Sequence, residues 1–294
     1  MAAPHVKTGT RPDAAEIALT HSQFPVAIGG IGGSGTRVIA TFLHMSGFYL
    51  GDDLNHALDN LWFTLLFKRR SVLLENVDNF QLLARLFCSR MSGNTDISEW
   101  DYTTIRRLAD EERMEHSRDW LLDRLYSFVN PNTTKQTNQR WGWKEPNTHI
   151  VIDRLLECQP SLRYVHVVRH PLKMAVSTNQ NQLQNWGPIF LNREISVKPH
   201  QSLSYWCAAH RRVAEFMRIW PGRIIMIDLE ALCTDPEQHC MRLAQFLLVQ
   251  LADQSVAEFR RFLRPSYDQR PRDVSLKQFD LHDLTYIAEI GYEL

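Results

Sequence analysis

The pattern of apolar and polar residues divides the chain into α/β segments interrupted by a long helical stretch. An apolar run at residues 24–28 leads into a cluster of glycines, and apolar residues then recur at helical spacing over residues 36–45. This order predicts a buried strand, a glycine loop and a helix. Residues 1–23 mix proline, glycine, threonine and charge without periodicity and predict a loose lead-in.

Residues 56–128 show only helical periodicity. Three stretches within them, LWFTLLFKRR, FQLLARLFCSRM and WLLDRLYSFV, place apolar residues at i, i+3 and i+4. Because no alternating strand pattern occurs there, the segment predicts a helical insertion.

The α/β pattern returns after residue 140. Short strands are predicted at residues 141–144, 163–168 and 223–228, and helices at 148–157, from Pro171 through Asn181, at 203–220 and at 236–249. Strands that alternate with helices imply a parallel sheet covered on both faces. No repeat, low-complexity tract or linker divides the sequence, so we expect one domain over 1–294, with an α/β core at 24–55 and 140–250.

Composition narrows the function classes. The 294 residues carry 33 Lys+Arg and 33 Asp+Glu, and zero net charge argues against a broad grip on nucleic acid. No apolar run approaches the roughly 20 residues that span a bilayer, and the first residues lack the apolar core of a secretory signal. The five cysteines are odd in number and scattered, which favours reduced thiols. We therefore expect a soluble cytoplasmic protein.

The glycine loop at residues 26–37 carries the first functional signal. Five of the seven residues 29–35 are glycine, and the helix that follows would offer free backbone N–H groups to an anion. In one interpretation Gly30, Gly32 and Gly35 form the G-x-G-x-x-G pattern of dinucleotide binding, with an acidic residue about twenty positions on as the ribose ligand. That interpretation predicts an NAD(P)-dependent oxidoreductase.

The other interpretation is a loop for the 5′ end of a phosphorylated nucleotide. Ser34, Gly35 and Thr36 would supply N–H and hydroxyl donors. A loop for a magnesium-bound nucleoside triphosphate is disfavoured, since Thr36 stands where its lysine should be.

A second motif at residues 164–177 favours the second interpretation. Arg169 follows a predicted strand, and Ser177 comes eight residues later, on the predicted helix. An arginine fork and a hydroxyl at one edge of the sheet suit a monophosphate. With both motifs present, the sequence resembles the sulfotransferase family that uses 3′-phosphoadenosine 5′-phosphosulfate (PAPS).

The resemblance runs from about residue 25 to 250 and implies a three-layer, P-loop-like α/β fold. It implies that Gly32, Gly33, Ser34, Gly35, Thr36 and Arg37 hold the 5′-phosphosulfate and that Arg169 and Ser177 hold the 3′-phosphate. Residues 143–146 (WKEP) look like the K-x-P segment of the carbohydrate and tyrosylprotein branches. Residues 224–237 look like the family's late strand and helix start.

One position departs from the family pattern. Many relatives carry Lys or Arg immediately before the loop serine, where this chain has Gly33. The positive charge at the transferring group must then come from elsewhere, and Lys144 and Arg37 are the catalytic candidates. Either side chain could instead simply point to solvent. The stretch with Arg264, Arg270 and Arg272 is similar to a basic loop that closes over the 3′-phosphate in some relatives, or is a solvated loop.

The catalytic base is assigned by position. Relatives use a His in the small-phenol branch and a Glu shortly after the first helix in the carbohydrate and tyrosyl branches. In this chain residues 49–56 occupy that place, so Asp53 is the first candidate, followed by Asp52 and His56. The competing interpretation is that Asp52 or Asp53 caps a helix that begins near Asn55.

The sequence therefore predicts a sulfotransferase that moves a sulfuryl group from PAPS to a hydroxyl or amine by in-line transfer, without a metal, and releases 3′-phosphoadenosine 5′-phosphate (PAP). The acceptor is a small molecule, a sugar or a lipid headgroup, selected by the insertion. The oxidoreductase and a nucleotide-binding protein without turnover remain the alternatives.

Overall fold

A four-stranded parallel sheet forms the centre of the fold. The computed structural model describes residues 24–94, 96–132, 135, 139–251, 253–263 and 274–294. The strands are β1 (Val26–Gly30), β2 (Gly142–Lys144), β3 (Arg163–Val168) and β4 (Ile224–Asp228), in the order β2-β1-β3-β4. The predicted parallel sheet is confirmed. The predicted lead-in and the basic residues Arg264, Arg270 and Arg272 lie outside the described residues.

The strand register brings three strand ends to one edge of the sheet. Ile28 of β1 pairs with Lys144 on one side and with Val165 on the other, and Gly30 pairs with Val167. The chain therefore leaves β1 between two neighbours that lie on opposite sides of it. In open α/β sheets such a point forms a crevice at the carboxyl ends of the strands, where ligands bind.

Among the described residues between β1 and β2, all regular elements are helical. They are α1 (Thr36–Met45), α2 (Leu61–Phe67), a 3₁₀ turn (Arg70–Leu74), α3 (Val77–Met91), α4 (Glu99–Ala109) and α5 (Arg118–Val129). The helical character predicted for residues 56–128 is therefore confirmed.

Most of the remaining helices follow the strands. They are a 3₁₀ turn (Pro146–Ile150), α6 (Ile152–Cys158), α7 (Pro171–Ala175), α8 (Asn181–Phe190), α9 (Pro199–Ile219), α10 (Leu229–Thr234), α11 (Pro236–Leu247), α12 (Asp253–Arg260), a 3₁₀ turn (Leu276–Gln278) and α13 (Leu281–Glu289). None of the described helices is long and apolar enough to cross a membrane.

Both faces of the sheet are buried under helices. Val26 and Ile28 of β1 pack in one hydrophobic cluster with Ile39 of α1 and Leu243 of α11. Ala27, between them, faces the other cluster, which contains Trp143 of β2 and the aromatic side chains of α2 and α3. Successive residues of a strand point to opposite faces, so a three-layer arrangement follows.

The helix predicted over residues 148–157 begins differently from the prediction. Thr148 lies in the 3₁₀ turn, and the α-helix starts only at Ile152. The carboxylate of Glu145 caps this turn by accepting a hydrogen bond from the Asn147 N–H. Pro146 supplies no N–H group of its own, so the chain turns tightly there before the regular helix begins.

Candidate functional site

The glycine loop joins β1 to α1 through a tight turn. The Ser34 N–H donates to the Ile31 carbonyl at 2.9 Å. Gly35 is the N-cap of α1 with a φ of 94°, and Gly33 has a φ of 93°, a region that favours glycine. No side chain among the described residues caps α1, and its first turn holds no acidic residue. The Val38 N–H donates to the Gly35 carbonyl at 2.9 Å, and the two N–H groups before it in that turn are available to an anion.

The hydroxyl of Ser34 is poised for a ligand. Ser34 is 1% exposed, and its Oγ has no hydrogen-bond partner among the described residues. A buried hydroxyl without a partner is costly, so a partner supplied by a bound phosphate or sulfate would remove that cost. Thr36, two positions further along the chain, is buried as well.

The structure brings Arg169 and Ser177 to the glycine loop. The Arg169 Nη1 donates to the Gly33 carbonyl at 3.3 Å. The Ser177 Oγ lies 3.6 Å from the position that a Cβ on Gly33 would occupy. The two residues predicted to hold one phosphate therefore meet at the same edge of the sheet.

The prediction that Ser177 lies on the helix is wrong. Helix α7 ends at Ala175, and Ser177 lies in the loop that follows. The Gln180 side chain donates to the carbonyls of Met174, at 3.0 Å, and Ser177, at 2.7 Å. The Ser177 Oγ accepts from the Asn179 N–H at 3.2 Å. These side-chain bonds replace the backbone bonds that would have continued the helix.

Glu230 is a residue of this edge that the sequence did not reveal. Its carboxylate accepts from the Lys173 ammonium at 3.0 Å and from the His170 N–H at 3.1 Å, and lies 3.5 Å from the Arg169 Nε. Glu230 comes two residues after β4, at the edge where β3 also ends. Its position just after a predicted strand was the signal in the sequence that could have identified it.

Lys144 ends strand β2 and is buried. Its ammonium donates to the Ala57 carbonyl at 3.0 Å and forms an ion pair with Asp59. Lys144 lines a cavity of about 540 Å³ together with loop residues such as Gly33 and Thr36 and with the exposed Arg37. We call this cavity the loop cavity. Lys144 is thus not a solvated surface lysine.

Asp53, the first candidate for the base, faces a different cavity. Its carboxylate lies 3.0 Å from the Arg124 Nε and accepts a hydrogen bond from the Ser127 hydroxyl. Asp52 lies beside the Tyr49 hydroxyl, and burial together with Asp52 raises the pKa of Tyr49. His56 is exposed. The loop cavity is lined by none of these three candidates.

The interpretation of Asp52 or Asp53 as a helix cap is wrong. The next helix, α2, begins at Leu61, and its N-cap is Asn60, whose side chain accepts from the Phe63 N–H at 2.9 Å. Asn55 instead organises a loop, since its side chain accepts from the N–H groups of Ala57 and Asp59. An asparagine turn of this kind competes with helix formation.

Asp59 is the second residue that sequence reasoning missed. It lines both the loop cavity and a neighbouring cavity of about 490 Å³, which we call the second cavity. The second cavity is lined by Asp53, Leu54, Asn55, Asp59, Leu61, Thr64, Lys68, His116, Trp120, Arg124 and Glu145. Spacing along the sequence gave no signal for Asp59, because the Asn55 loop and β2 together place it.

Two groups of the second cavity have strongly shifted proton affinities. Burial, reinforced by the charge of Asp59, raises the pKa of Glu145 to about 7, although Lys68 and Lys144 oppose the shift. Burial and the charge of Lys68 lower the pKa of His116 to about 4. His116 is therefore neutral at pH 7, and Glu145 exchanges its proton near that pH.

The geometry opposes the dinucleotide interpretation. In that fold an acidic residue near the end of a strand beside β1 binds the ribose. The acidic residue in that position is Glu145, which directly follows β2, but its buried carboxylate already accepts hydrogen bonds from the N–H and the side-chain amide of Asn147. Asp52 and Asp53 interact instead with Tyr49 and Arg124.

Comparisons with known proteins agree with the phosphate-binding interpretation. The model of the family described as "Sulfotransferase family" matches residues 25–253. No curated protein matches the chain. The sulfotransferase domain of the olefin synthase from Synechococcus PCC 7002 superposes with a TM-score of 0.53 at 16% identity, covering 93% of this chain and 98% of that one.

Two further solved structures are similar. The sulfotransferase domain from the curacin biosynthetic pathway has a TM-score of 0.51 at 15% identity, covering 93% of this chain and all of its own. A sulfotransferase from Mycobacterium avium has a TM-score of 0.48 at 15% identity, covering 96% of this chain and 80% of that one. The two domains with the higher scores share the P-loop-like α/β fold. The family model matches well over half of the 294 residues of this chain, and the chain therefore belongs to the sulfotransferase family.

Proposed function

We propose that this protein transfers a sulfuryl group from PAPS to a hydroxyl or amine of an acceptor and releases PAP. The observation that carries the proposal is that two anion-binding features meet at Gly33. On one side lie the orphan Ser34 hydroxyl and the open N-terminus of α1. On the other lie Arg169 and Ser177. A nucleotide with phosphate groups at both its 5′ and 3′ positions requires two such features.

The residues present fit this donor. Ser34, Thr36 and the N–H groups that open α1 would hold the 5′-phosphosulfate, with Gly32, Gly33 and Gly35 allowing close approach of the backbone. Arg169 and Ser177 would hold the 3′-phosphate. When bound, the donor supplies a sulfuryl group activated by its mixed anhydride with phosphate.

The positive charge that the glycine loop lacks would come from the edge of the sheet. Gly33 stands where many relatives carry Lys or Arg, so we assign the neutralising role to Lys144, whose buried ammonium faces the loop cavity. A point charge in a desolvated site acts strongly on an oxygen whose negative charge grows. Arg37, exposed at the first turn of α1, is the second cation of the cavity.

The insertion would form the acceptor side of a single domain. Helices α2 and α5 contribute Leu61, Thr64, Trp120 and Arg124 to the second cavity, which borders the loop cavity at Asp59. The proton acceptor would then be a carboxylate of this region, for which the sequence put forward Asp53. The five cysteines form no disulfide with one another, in line with a reducing compartment such as the cytoplasm.

The proposed donor is tested by binding. Calorimetry with PAP, adenosine 5′-phosphate and NAD should give measurable binding for PAP, weaker binding for the analogue without the 3′-phosphate, and none for NAD. Transfer of labelled sulfate from PAPS then separates an enzyme from a protein that only binds the nucleotide. Binding of NAD in preference to PAP would contradict the proposal.

Arg169→Ala should weaken PAP binding selectively. A charge-assisted hydrogen bond contributes about 1.5–3 kcal/mol, so we expect PAP affinity to fall about tenfold to a hundredfold while that for adenosine 5′-phosphate hardly changes. Arg218→Ala is the matched control, because Arg218 is 75% exposed on α9. Equal losses for both ligands would mean that Arg169 has only a structural role.

A further inference from the structure

The second cavity is lined by paired charges of both signs. Asp53 is paired with Arg124, and Asp59 with Lys144. Lys68 is paired with Glu115, and its positive charge also favours the ionised form of buried Glu145. A ligand that carried its own charge would have to displace one member of a pair, and an apolar ligand would desolvate these groups without compensating them.

The same cavity also offers apolar surface. Trp120, half-buried at the start of α5, stacks on the His116 ring and lies against the Arg124 guanidinium, and its remaining surface lines the cavity with Leu54 and Leu61. Hydrogen-bond donors and acceptors beside one aromatic ring and small apolar patches match a molecule with hydroxyls on a compact carbon skeleton. A volume of about 490 Å³ accommodates one or two sugar-sized rings.

Asp59 lies where the two cavities meet. Its carboxylate is held by the Asn55 side chain, which donates at 2.8 Å, and by the Lys144 ammonium. Asp53 lines the second cavity but not the loop cavity. Its carboxylate accepts a hydrogen bond from the Ser127 hydroxyl and is paired with Arg124. A group that removes a proton must reach both the acceptor hydroxyl and the transfer site, and Asp59 alone of the two carboxylates borders both cavities.

We infer that the second cavity binds a small, neutral, polyhydroxylated acceptor and that Asp59 accepts the proton of its reacting hydroxyl. The inference rests on the proposed sulfuryl transfer. In that step a bond forms between the acceptor oxygen and sulfur, and the proton of the hydroxyl passes to Asp59. The bond from sulfur to the oxygen of the 5′-phosphate breaks, and its electron pair stays on that oxygen, facing Lys144.

Asp59→Asn tests the role of the carboxylate. We expect kcat to fall at least a hundredfold while the PAP dissociation constant stays the same or decreases, since one negative charge near Lys144 is removed. Asp123→Asn, an exposed carboxylate on the same helix as Trp120, should leave both values unchanged. Asp53→Asn is the rival arm, and a full loss of kcat there with turnover retained in Asp59→Asn would overturn the inference.

A purely structural role for Asp59 predicts a different result. If Asp59 only holds the Asn55 loop, Asp59→Asn should lower the melting temperature and weaken PAP binding together with kcat. Asp59→Glu retains the carboxylate and should recover part of kcat, which gives a second test if the Asn variant folds poorly. Failure of the wild-type protein to bind PAP would instead contradict the proposed function itself.

The acceptor class is tested with labelled PAPS and two sets of probes. Methyl glucoside, lactose and inositol represent polyhydroxylated acceptors, and para-nitrophenol and octanol represent apolar ones. We expect at least tenfold higher kcat/KM for one or more of the first set, with a KM that rises at least tenfold in Trp120→Ala. Preference for the apolar probes, or no transfer to any polyhydroxylated probe by protein that binds PAP, would overturn the assignment.

Discussion

At the scale of single residues, the charge of Lys144 depends on two neighbours. The side chain is 4% exposed, so the ammonium has lost most of its hydration. The Ala57 carbonyl and the Asp59 carboxylate replace that hydration. Removing one member of a buried ion pair leaves the charge of the other uncompensated, which is costly. Lys144 and Asp59 should therefore be studied as a unit.

Lys144→Met should affect turnover more than binding. An interaction that strengthens in the transition state contributes to kcat, so we expect kcat to fall by about two orders of magnitude or more while PAP affinity stays within about tenfold. Lys198→Met, at an exposed position before α9, is the control. Unchanged turnover in Lys144→Met would assign the role to Arg37.

Gly35→Ala should destabilise the fold. At a φ of 94° an alanine is strained, and its Cβ would lie 2.6 Å from the Leu229 Cδ2. We expect a loss of about 1–3 kcal/mol in the free energy of unfolding, measured with urea. Gly47→Ala provides the comparison, since Gly47 has a φ of 81° with open space around it and so carries the strain without the clash. Equal losses would mean that the contact with Leu229 relaxes at no cost.

The sequence identified some residues of the site and missed others for a physical reason. The placement of Arg169 and Ser177 near the glycine loop could be predicted, because each follows or faces a strand end recognisable from its pattern. Asp59 could not, because contacts between distant elements give it its position, and for Glu230 the sequence shows only that it follows a strand end, not which groups it contacts. Asp59 needs the Asn55 loop to meet β2, and Glu230 needs β4 beside β3.

At the scale of elements, the Arg113 side chain joins two helices of the insertion. Its guanidinium donates to the carbonyls of Thr64 and Leu65 in α2 and Leu108 in α4, at 2.9, 2.7 and 2.9 Å. The Leu65 and Leu108 carbonyls lie in the last turns of their helices, where carbonyls lack helical partners, whereas the Thr64 carbonyl also accepts from the Lys68 N–H. Burial lowers the pKa of Arg113 to about 10, so the side chain stays charged at pH 7.

Arg113→Ala should therefore loosen the insertion. Three carbonyls lose charge-assisted donors, and we expect the free energy of unfolding to fall by about 3 kcal/mol or more. Arg107→Ala, at an exposed position on α4, should change it by less than about 0.5 kcal/mol. Because Thr64 and Lys68 line the second cavity, the rate of acceptor turnover is the companion measurement. Similar stabilities for the two variants would contradict this role of Arg113.

Element boundaries could be predicted where packing sets them. Helix α1 spans Thr36–Met45 and β3 spans Arg163–Val168, as the periodicity predicts, because both bury a regular apolar pattern. Prediction failed where polar side chains end an element. Gln180 stops α7 before Ser177, and Glu145 caps a 3₁₀ turn ahead of α6. Such bonds leave no periodic signal.

At the scale of the whole molecule, stability depends on histidines that are buried without charge. The His149 Nε2 forms a hydrogen bond with the Gln182 Oε1 at 3.0 Å in the interior. Burial lowers the pKa of His149 to about 4. Burial and the nearby Arg211 lower the pKa of His210 to about 4. Both rings are therefore neutral in the folded protein over the range where an unfolded histidine, with a pKa near 6.5, takes up a proton.

We expect stability to fall on mild acidification. Between about pH 6.5 and 4.5 the unfolded chain binds protons that the folded histidines cannot, so the free energy of unfolding decreases as the pH falls. Glu145 acts in the opposite direction, because its raised pKa, about 7, lets the folded state bind a proton first. Burial also lowers the pKa of His116, to about 4, and the pKa of His166, so four histidines oppose one carboxyl group. The net loss should reach a few kcal/mol.

Urea unfolding at several pH values between 7.5 and 4.5 measures how stability depends on pH. The Glu145→Gln variant separates the contribution of Glu145 from that of the histidines. The amide keeps the size of Glu145 without its proton exchange, so the variant should lose stability more steeply than the wild type as the pH falls from about 7. Above that pH it should gain relative stability, since ionised Glu145 is buried at a cost. Identical slopes for the two proteins would show that Glu145 titrates alike in the folded and unfolded states, and a flat profile in both would contradict the role given to the histidines.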